Sequence, residues 1–521
     1  MYSFNLGIRF QNIAERYAKN PAILLSKENV ICYEELNTIA NRMARLLIDH
    51  HVSTGDVVCI SGTKTLSTFA GIIACLKTGA VYSVLDPDSP IERLRKILST
   101  CRPKLVLAER DLLQKLANIL AGLGIGSLEK YLDWNPVFVE NYDGSNLSMT
   151  RSITGSNPSY IMYTSGSTGL PKGAVMTHAN VLNLIDWSKE TFSITPEDVL
   201  TNVNPLYFDN SVFDLYSSVF NGAALVPFSK EEVRDPRLLV TKVHACGCTL
   251  WFSVPSLLIF LQTMRAMDGN NLRSIRRFIF GGEGYPLAKL KKLFDSYGNS
   301  SEFFNVYGPT ECTCICSAYK ITEPDFRDVQ GFPPLGYIAD NFNFLILDDQ
   351  GESVSLGELG ELCLLGPNVG KGYYNDPDRS VASFVQNPNN NKFREITYKT
   401  GDIVRVDRSD GKLYIHGRKD NQIKHMGYRI ELEEIEAALH CLDYVYEAAA
   451  FHSCVNGLSR IIAIITLREA YEDDQIRTDL KRIIPDYMIP SDFYYEKMLP
   501  KNPNGKVDRR SLAEKYLKSH L

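Results

Sequence analysis

An apolar, strand-like run, Tyr160-Ile-Met-Tyr163, leads straight into Thr164-Ser-Gly-Ser-Thr-Gly-Leu-Pro-Lys-Gly173, a loop built almost wholly of small hydrogen-bonding residues. Glycines 166, 169 and 173 allow φ > 0 and close backbone approach, while Thr164, Ser165, Ser167 and Thr168 add hydroxyls and Lys172 adds a charge. Such a loop suits an anion, phosphate above all. Read by itself it is equally a polar connector, because loops of this composition are common. It is not a Walker A motif, since Pro171 precedes Lys172 and Gly173 follows it.

The chain has 521 residues, 44% hydrophobic and 22% charged, enough for roughly three or four compact units and a large core. A net charge of −5 without a long Lys/Arg run argues against a nucleic-acid partner. Met1 to Ile8 has no signal-peptide pattern and no apolar segment reaches spanning length, so no membrane is expected and the chain is placed in the cytoplasm. Twelve scattered cysteines read as reduced and buried. His244, Cys246 and Cys248 lack the second ligand pair of a closed zinc site, so packing is the better reading there. Cys312, Cys314 and Cys316 recur at a period of two, which predicts one face of a strand.

Helical patterns (Ile13 to Tyr17, Glu34 to His50) alternate with β-rich runs (Val57 to Ser61, Lys104 to Ala108), the signature of an α/β fold class. Ala224 to Pro227, Leu250 to Val254 and Arg277 to Phe280 predict further buried strands between amphipathic helices. Asn387 to Asn391 predicts an exposed loop. A boundary falls at Gly417, giving a large N-terminal domain, 1–417, and a small C-terminal α/β domain, 418–521, with a helix near Glu431 to Leu439. Lys481 to Leu521 carries nine Lys/Arg against five Asp/Glu, a solvated face or a surface for an acidic partner.

Six further motifs follow the first loop in order: Asn305-Val-Tyr-Gly-Pro-Thr-Glu311, Gly357-Glu-Leu-Gly-Glu-Leu362, Tyr398-Lys-Thr-Gly-Asp402, Gly417-Arg-Lys-Asp-Asn-Gln-Ile-Lys424, Gly427-Tyr-Arg-Ile-Glu-Leu-Glu-Glu434 and Asn502-Pro-Asn-Gly-Lys506. Over essentially its whole length the chain resembles the adenylate-forming superfamily of acyl-CoA synthetases, firefly-type luciferases and adenylation domains of nonribosomal peptide synthetases. The resemblance implies layered α/β subdomains with a mobile C-terminal domain. It also implies a two-step reaction: a carboxylate attacks the α-phosphate of ATP, releasing pyrophosphate, and a thiol then displaces AMP.

It further implies roles for single residues. Thr164, Ser165, Gly166, Ser167, Thr168, Gly169 and Lys172 would steady the outer phosphates, helped by Thr310 beside Gly308, with Glu311 holding Mg²⁺. Asp402 would accept from the ribose hydroxyls, with Arg418 near ribose and α-phosphate. Tyr307, Asn305 and the backbone of Gly281, Gly282 and Glu283 would surround adenine. Lys506, by pattern alone a solvated lysine on an Asn-Gly turn, would enter the cleft to pair the substrate carboxylate with the α-phosphate. It would withdraw as the small domain turns about Asp420 and brings in the loop around Gly427.

Val212, Tyr216, Val219 and Phe220 recur at helical spacing, so Asp209 or Asn210 reads locally as a helix N-cap. In amino-acid-activating relatives an aspartate at the place of Asp209 binds the substrate ammonium, and by that resemblance the pocket walls are Asn210, Phe213, Ser253, Ile279, Gly281, Val306, Cys314 and Ile315. Asn210 and Ser253 offer polar contacts and Gly281 offers room, which fits a small or medium neutral side chain. The chain stops fifteen residues after Lys506, which reads as a stand-alone, monomeric activator of an amino acid that passes it in trans to a phosphopantetheinylated carrier protein. Ile185-Asp-Trp187 and Gln422 to Arg429 also resemble D-alanine:carrier-protein ligases, although those place a cysteine at Gly281 and a small or flexible residue at Phe213. D-alanine ligation, or an acyl-CoA synthetase using free CoA, is the alternative.

Overall fold

The computed structural model describes residues 3–122, 131–133, 139–166, 170–267, 271–455, 458–469, 471–501 and 507–516. The chain divides into two compact units, one of Met1–Pro87, Thr100–Tyr163 and Gly173–Lys419, the other of Asp88–Ser99, Thr164–Lys172 and Asp420–Leu521.

In the larger unit, six parallel strands form the middle of an eight-stranded sheet, in the order Glu302–Tyr307, Arg277–Gly281, Leu250–Ser253, Val199–Asn202, Ala224–Pro227 and Pro21–Leu24. Their burial on both faces explains why Phe278, Ile279 and Phe280 read as a continuous apolar run rather than an alternating one. Ser317–Ile321 closes one edge antiparallel to Glu302–Tyr307. A six-stranded sheet is built around Val57–Ser61, Val81–Leu85 and Pro158–Thr164. One core cluster draws side chains from both sheets, Tyr82, Tyr160 and Met162 from one and Leu200, Phe252 and Ile279 from the other. The helix Asn210–Val219 belongs to that core, every residue from Ser211 to Val219 being buried, and its Tyr216 hydroxyl lies 2.9 Å from that of Tyr82. A third, five-stranded sheet runs through Ile396–Val406 and Leu413–Arg418.

The smaller unit holds a three-stranded sheet (Val445–Val455, Leu458–Leu467 and Asp492–Tyr495) and the hairpin Gln422–His425 with Tyr428–Glu431. The helix Leu432–His440 buries Ile435, Ala438 and Leu439 in the same cluster as Ala450, Ile461 and Ala463 of the sheet. Among the described residues no helix is long and apolar enough to cross a membrane.

Two readings change. Leu250–Ser253 is a strand, but Val254 is extended and precedes a helix with Pro255 at its first turn, where proline's fixed φ and missing N–H do no harm. Cys312, Cys314 and Cys316 do not share a strand face. Cys312 ends a short 3-10 turn and Cys314 has a left-handed φ of 75°, so Cys312 and Cys316 enter one core cluster and Cys314 another. Cys246 and Cys248 pack into the core beside Trp251.

His178 pins the N-terminal helix Leu6–Arg16: its Nδ1 accepts from the Leu6 backbone N–H at 3.1 Å. An accepting nitrogen carries no proton, and burial pushes the imidazole down to about 4. The unfolded chain therefore takes up this proton first as the pH falls below 6.5, so the contribution is complete above that value and is lost toward pH 4. At ~1.4 kcal/mol per pH unit the loss approaches ~3 kcal/mol. His178→Gln, whose amide oxygen can still accept, is expected to flatten that acid limb in urea unfolding measured at successive pH values.

Candidate active site

Three carboxylates of the larger unit, Asp209, Glu311 and Asp402, each accept a hydrogen bond from a hydroxyl. Asp209 stands at the N-cap position of the helix Asn210–Val219, yet its carboxylate makes no capping bond. Instead Asp209 Oδ2 accepts from Thr310 Oγ1 at 2.6 Å. The local reading of Asp209 as a helix cap is thereby replaced.

Thr310 and Glu311 sit on a tightly determined turn. The strand Glu302–Tyr307 runs into Gly308, where an added Cβ would stand 2.3 Å from the Cys314 carbonyl oxygen. Pro309 then opens the 3-10 turn Thr310–Cys312, and Thr313 and Cys314 follow with φ of 59° and 75°. Left-handed backbone at two successive non-glycine residues costs about 1–2 kcal/mol each. Bonds from outside the turn hold it: Thr313 Oγ1 donates to the Asn368 carbonyl at 2.7 Å, and Gly370 N–H donates to the Glu311 carbonyl at 2.9 Å. Glu311 is fully buried, not a surface carboxylate, and its Oε1 accepts from the Tyr373 hydroxyl at 2.7 Å.

Asp402 is the third carboxylate. It lies directly across the ladder from Arg418, so the two side chains share a sheet face and pair; the Tyr307 hydroxyl donates to its other oxygen. Burial, and then the Asp402 charge, drives the Tyr307 phenol well up. Each carboxylate oxygen retains acceptor capacity after these bonds. Asn305 Nδ2 donates to the Pro334 carbonyl at 2.8 Å. Glu283 Oε1 accepts from Ser256 N–H at 2.7 Å, placing an anion at the open N-terminus of the helix Pro255–Thr263, whose Val254 cap has no acceptor of its own.

The expected pocket walls are mostly apolar and closed. Phe213 is fully buried, edge-on to Phe192 at 5.5 Å and Phe252 at 4.9 Å. Ile279, Val306, Cys314 and Ile315 are buried with it in one cluster. Two of these positions are constrained by their neighbours. Ser253 is already engaged, since its hydroxyl accepts from Trp251 Nε1 at 2.8 Å and donates to the Val254 carbonyl at 3.0 Å. Gly281 opens no room, because a Cβ there would meet the Val306 carbonyl oxygen at 2.3 Å: the space belongs to the neighbouring strand. Asn210 keeps its polar possibility. Its Nδ2 lies 3.7 Å from where a Cβ on Gly282 would sit.

In the smaller unit the glycine-rich loop meets the hairpin strand Tyr428–Glu431. Ser165 Oγ donates to the Arg429 carbonyl at 2.6 Å, and Lys172 Nζ lies 3.5 Å from Glu431 Oε1. Thr164 and Gly166 lead into that loop. Ser167, Thr168, Gly169 and Lys506 lie outside the described residues.

A profile of AMP-binding enzymes matches residues 10–374, and one of the AMP-binding enzyme C-terminal domain matches residues 434–506. The chain belongs to the AMP-binding enzyme family. It is 33% identical over 490 residues to a dimodular nonribosomal peptide synthase of Bacillus subtilis (strain 168), covering 94% of this chain and 20% of that protein. It is 30% identical over 514 residues to Zwittermicin A synthase ZmaJ of Bacillus cereus, covering 97% of this chain and 94% of that one. The chain spans only 10–20% of the length of several of its curated relatives. The Vibrio cholerae adenylation domain AlmE, solved in complex with glycyl-adenosine-5'-phosphate, has the same fold, with a TM-score of 0.83 at 22% identity and 99% of each chain covered. Within the family this is an adenylation domain of nonribosomal peptide synthetase type.

Sequence reasoning missed Tyr373, Trp251 and Glu431, the partners of Glu311, Ser253 and Lys172. Tyr373 and Glu311 are 62 residues apart, with no local pattern to link them. Tyr373→Phe leaves a buried carboxylate short of a donor and is expected to cost ~1–3 kcal/mol in urea unfolding. Unchanged stability would mean that the hydroxyl is not needed there.

Proposed function

We propose that the protein activates an amino acid as aminoacyl-AMP and then transfers it to the phosphopantetheine thiol of a carrier protein. The substrate carboxylate oxygen bonds to the α-phosphorus as the bond to pyrophosphate breaks. The thiol sulfur then bonds to the acyl carbon as AMP leaves. The observation that carries this reading is Asp209: a carboxylate at the N-cap of the helix Asn210–Val219 that leaves the cap unused and is held instead by Thr310. A half-buried carboxylate held in this way can take a charge-assisted bond from a cation, and the substrate ammonium supplies one.

In this reading residues 1–417 form the core and 418–521 the mobile part. Thr164, Lys172 and the loop between them steady the outer phosphates, and Lys506 joins the substrate carboxylate to the α-phosphate. Tyr307, Asn305 and the Gly281 to Glu283 backbone surround adenine, while Asp402 takes the ribose hydroxyls. Glu311 fits a hard cation, being a carboxylate oriented by Tyr373, and would hold Mg²⁺, which neutralises phosphate charge when bound. The closed walls favour a small or medium neutral side chain, with Asn210 as the polar contact.

Pyrophosphate release measured with each L- and D-amino acid singly is expected to single out one or a few substrates, and Asp209→Ala to lose at least ~10²-fold in kcat/KM for them. Release driven equally well by simple fatty acids would contradict the reading. Lys506→Ala is expected to lower adenylation at least ~10²-fold while largely sparing thiol transfer from a supplied adenylate. Equal loss in both half-reactions would count against an alternating lysine. Gly281→Cys, which recreates the residue of D-alanine ligases, is expected to disturb the Val306 strand and lower activity. A gain in D-alanine turnover would restore the alternative. A carrier protein and free CoA, offered separately as acceptors, decide the second step.

A further inference from the structure

The 2.6 Å hydrogen bond from Thr310 to Asp209 joins a residue proposed for the phosphates to one proposed for the substrate ammonium. A threonine hydroxyl has one proton, which it can give to a carboxylate or to a phosphate oxygen but not to both. We propose that Thr310 couples the two substrate sites: Asp209 holds its hydroxyl proton while no ammonium is bound, and an arriving ammonium frees that proton for the nucleotide phosphate. The inference rests on the proposed placements of Asp209 and Thr310.

The backbone cannot relax to serve both acceptors. Gly308 is wedged against the Cys314 carbonyl, Thr313 and Cys314 are fixed in left-handed conformations, and Thr313 and Glu311 are tied to Asn368 and Gly370. What remains is rotation about the Thr310 side-chain bond, between discrete rotamers. Without an ammonium, turning the hydroxyl to a phosphate strips Asp209 of a charge-assisted bond. With an ammonium present, that carboxylate has gained a charge-assisted bond in its place. Each ligand must then favour the other by the same factor, which for coupled sites is typically about 5- to 150-fold. The amino acid thereby primes the site for ATP before chemistry begins.

A double-mutant cycle read by ATP binding to the full chain, with no amino acid present, isolates the shared proton. Asp209→Ala removes the competing acceptor and is expected to tighten ATP by about fivefold or more. The same change made in Thr310→Val should leave ATP affinity within about twofold. Thr310→Ser, which keeps the hydroxyl, should restore the gain, and saturable ATP binding shows that each variant is folded. Equal tightening in both backgrounds would mean that simple removal of a negative charge explains the effect, and no tightening in either would mean that no proton is shared. Either result overturns the proposal. Failure to activate any amino acid would instead remove the reading of Asp209's partner, and it would appear in the pyrophosphate assay and not in this cycle.

Discussion

A carboxylate withdrawn wholly or partly from water needs a donor, and the larger unit supplies a hydroxyl to three of them, the buried Glu311 and Asp402 and the half-buried Asp209. Thr310 serves Asp209, Tyr373 serves Glu311, and Tyr307 serves Asp402, which Arg418 also pairs. Leaving any of these acceptors short costs ~1–3 kcal/mol or more, so the donors are fixed wherever the carboxylates are. Two of the three donors come from strand and turn residues within Glu302 to Cys312, and Glu311 itself lies there. The geometry of that one segment therefore decides whether the site exists.

That segment is shaped by what its backbone can tolerate. Gly308 approaches the Cys314 carbonyl too closely for any side chain, and Gly281 approaches Val306 in the same way. Crowding at the ends of parallel strands closes the pocket around Phe213, Ile279 and Val306. The same crowding means that a side chain at position 281 would require the Val306 strand to shift.

The scaffold was legible where local physics dominates. Val57–Ser61 and Ala224–Pro227 are short apolar runs buried on all sides, and their limits match the residues read from the sequence. The helix Leu432–His440 follows from its apolar spacing. Periodicity failed at Cys312 to Cys316, because two left-handed residues break the alternation that a strand would need. Local capping rules failed at Asp209, because a hydroxyl about a hundred residues away is the better partner. The order of the motifs carried the family, but the pairings of Glu311 with Tyr373 and of Lys172 with Glu431 join distant segments whose proximity only the fold reveals.

The proposed activity depends on Asp209 meeting a positive charge on the substrate. The most direct measurement compares kcat/KM for the best amino acid with that for the same acid lacking its amino group. A loss of at least ~10²-fold is expected for the desamino acid, and a much smaller difference between the two once Asp209 is alanine. Equal use of both acids by the unaltered protein would contradict it.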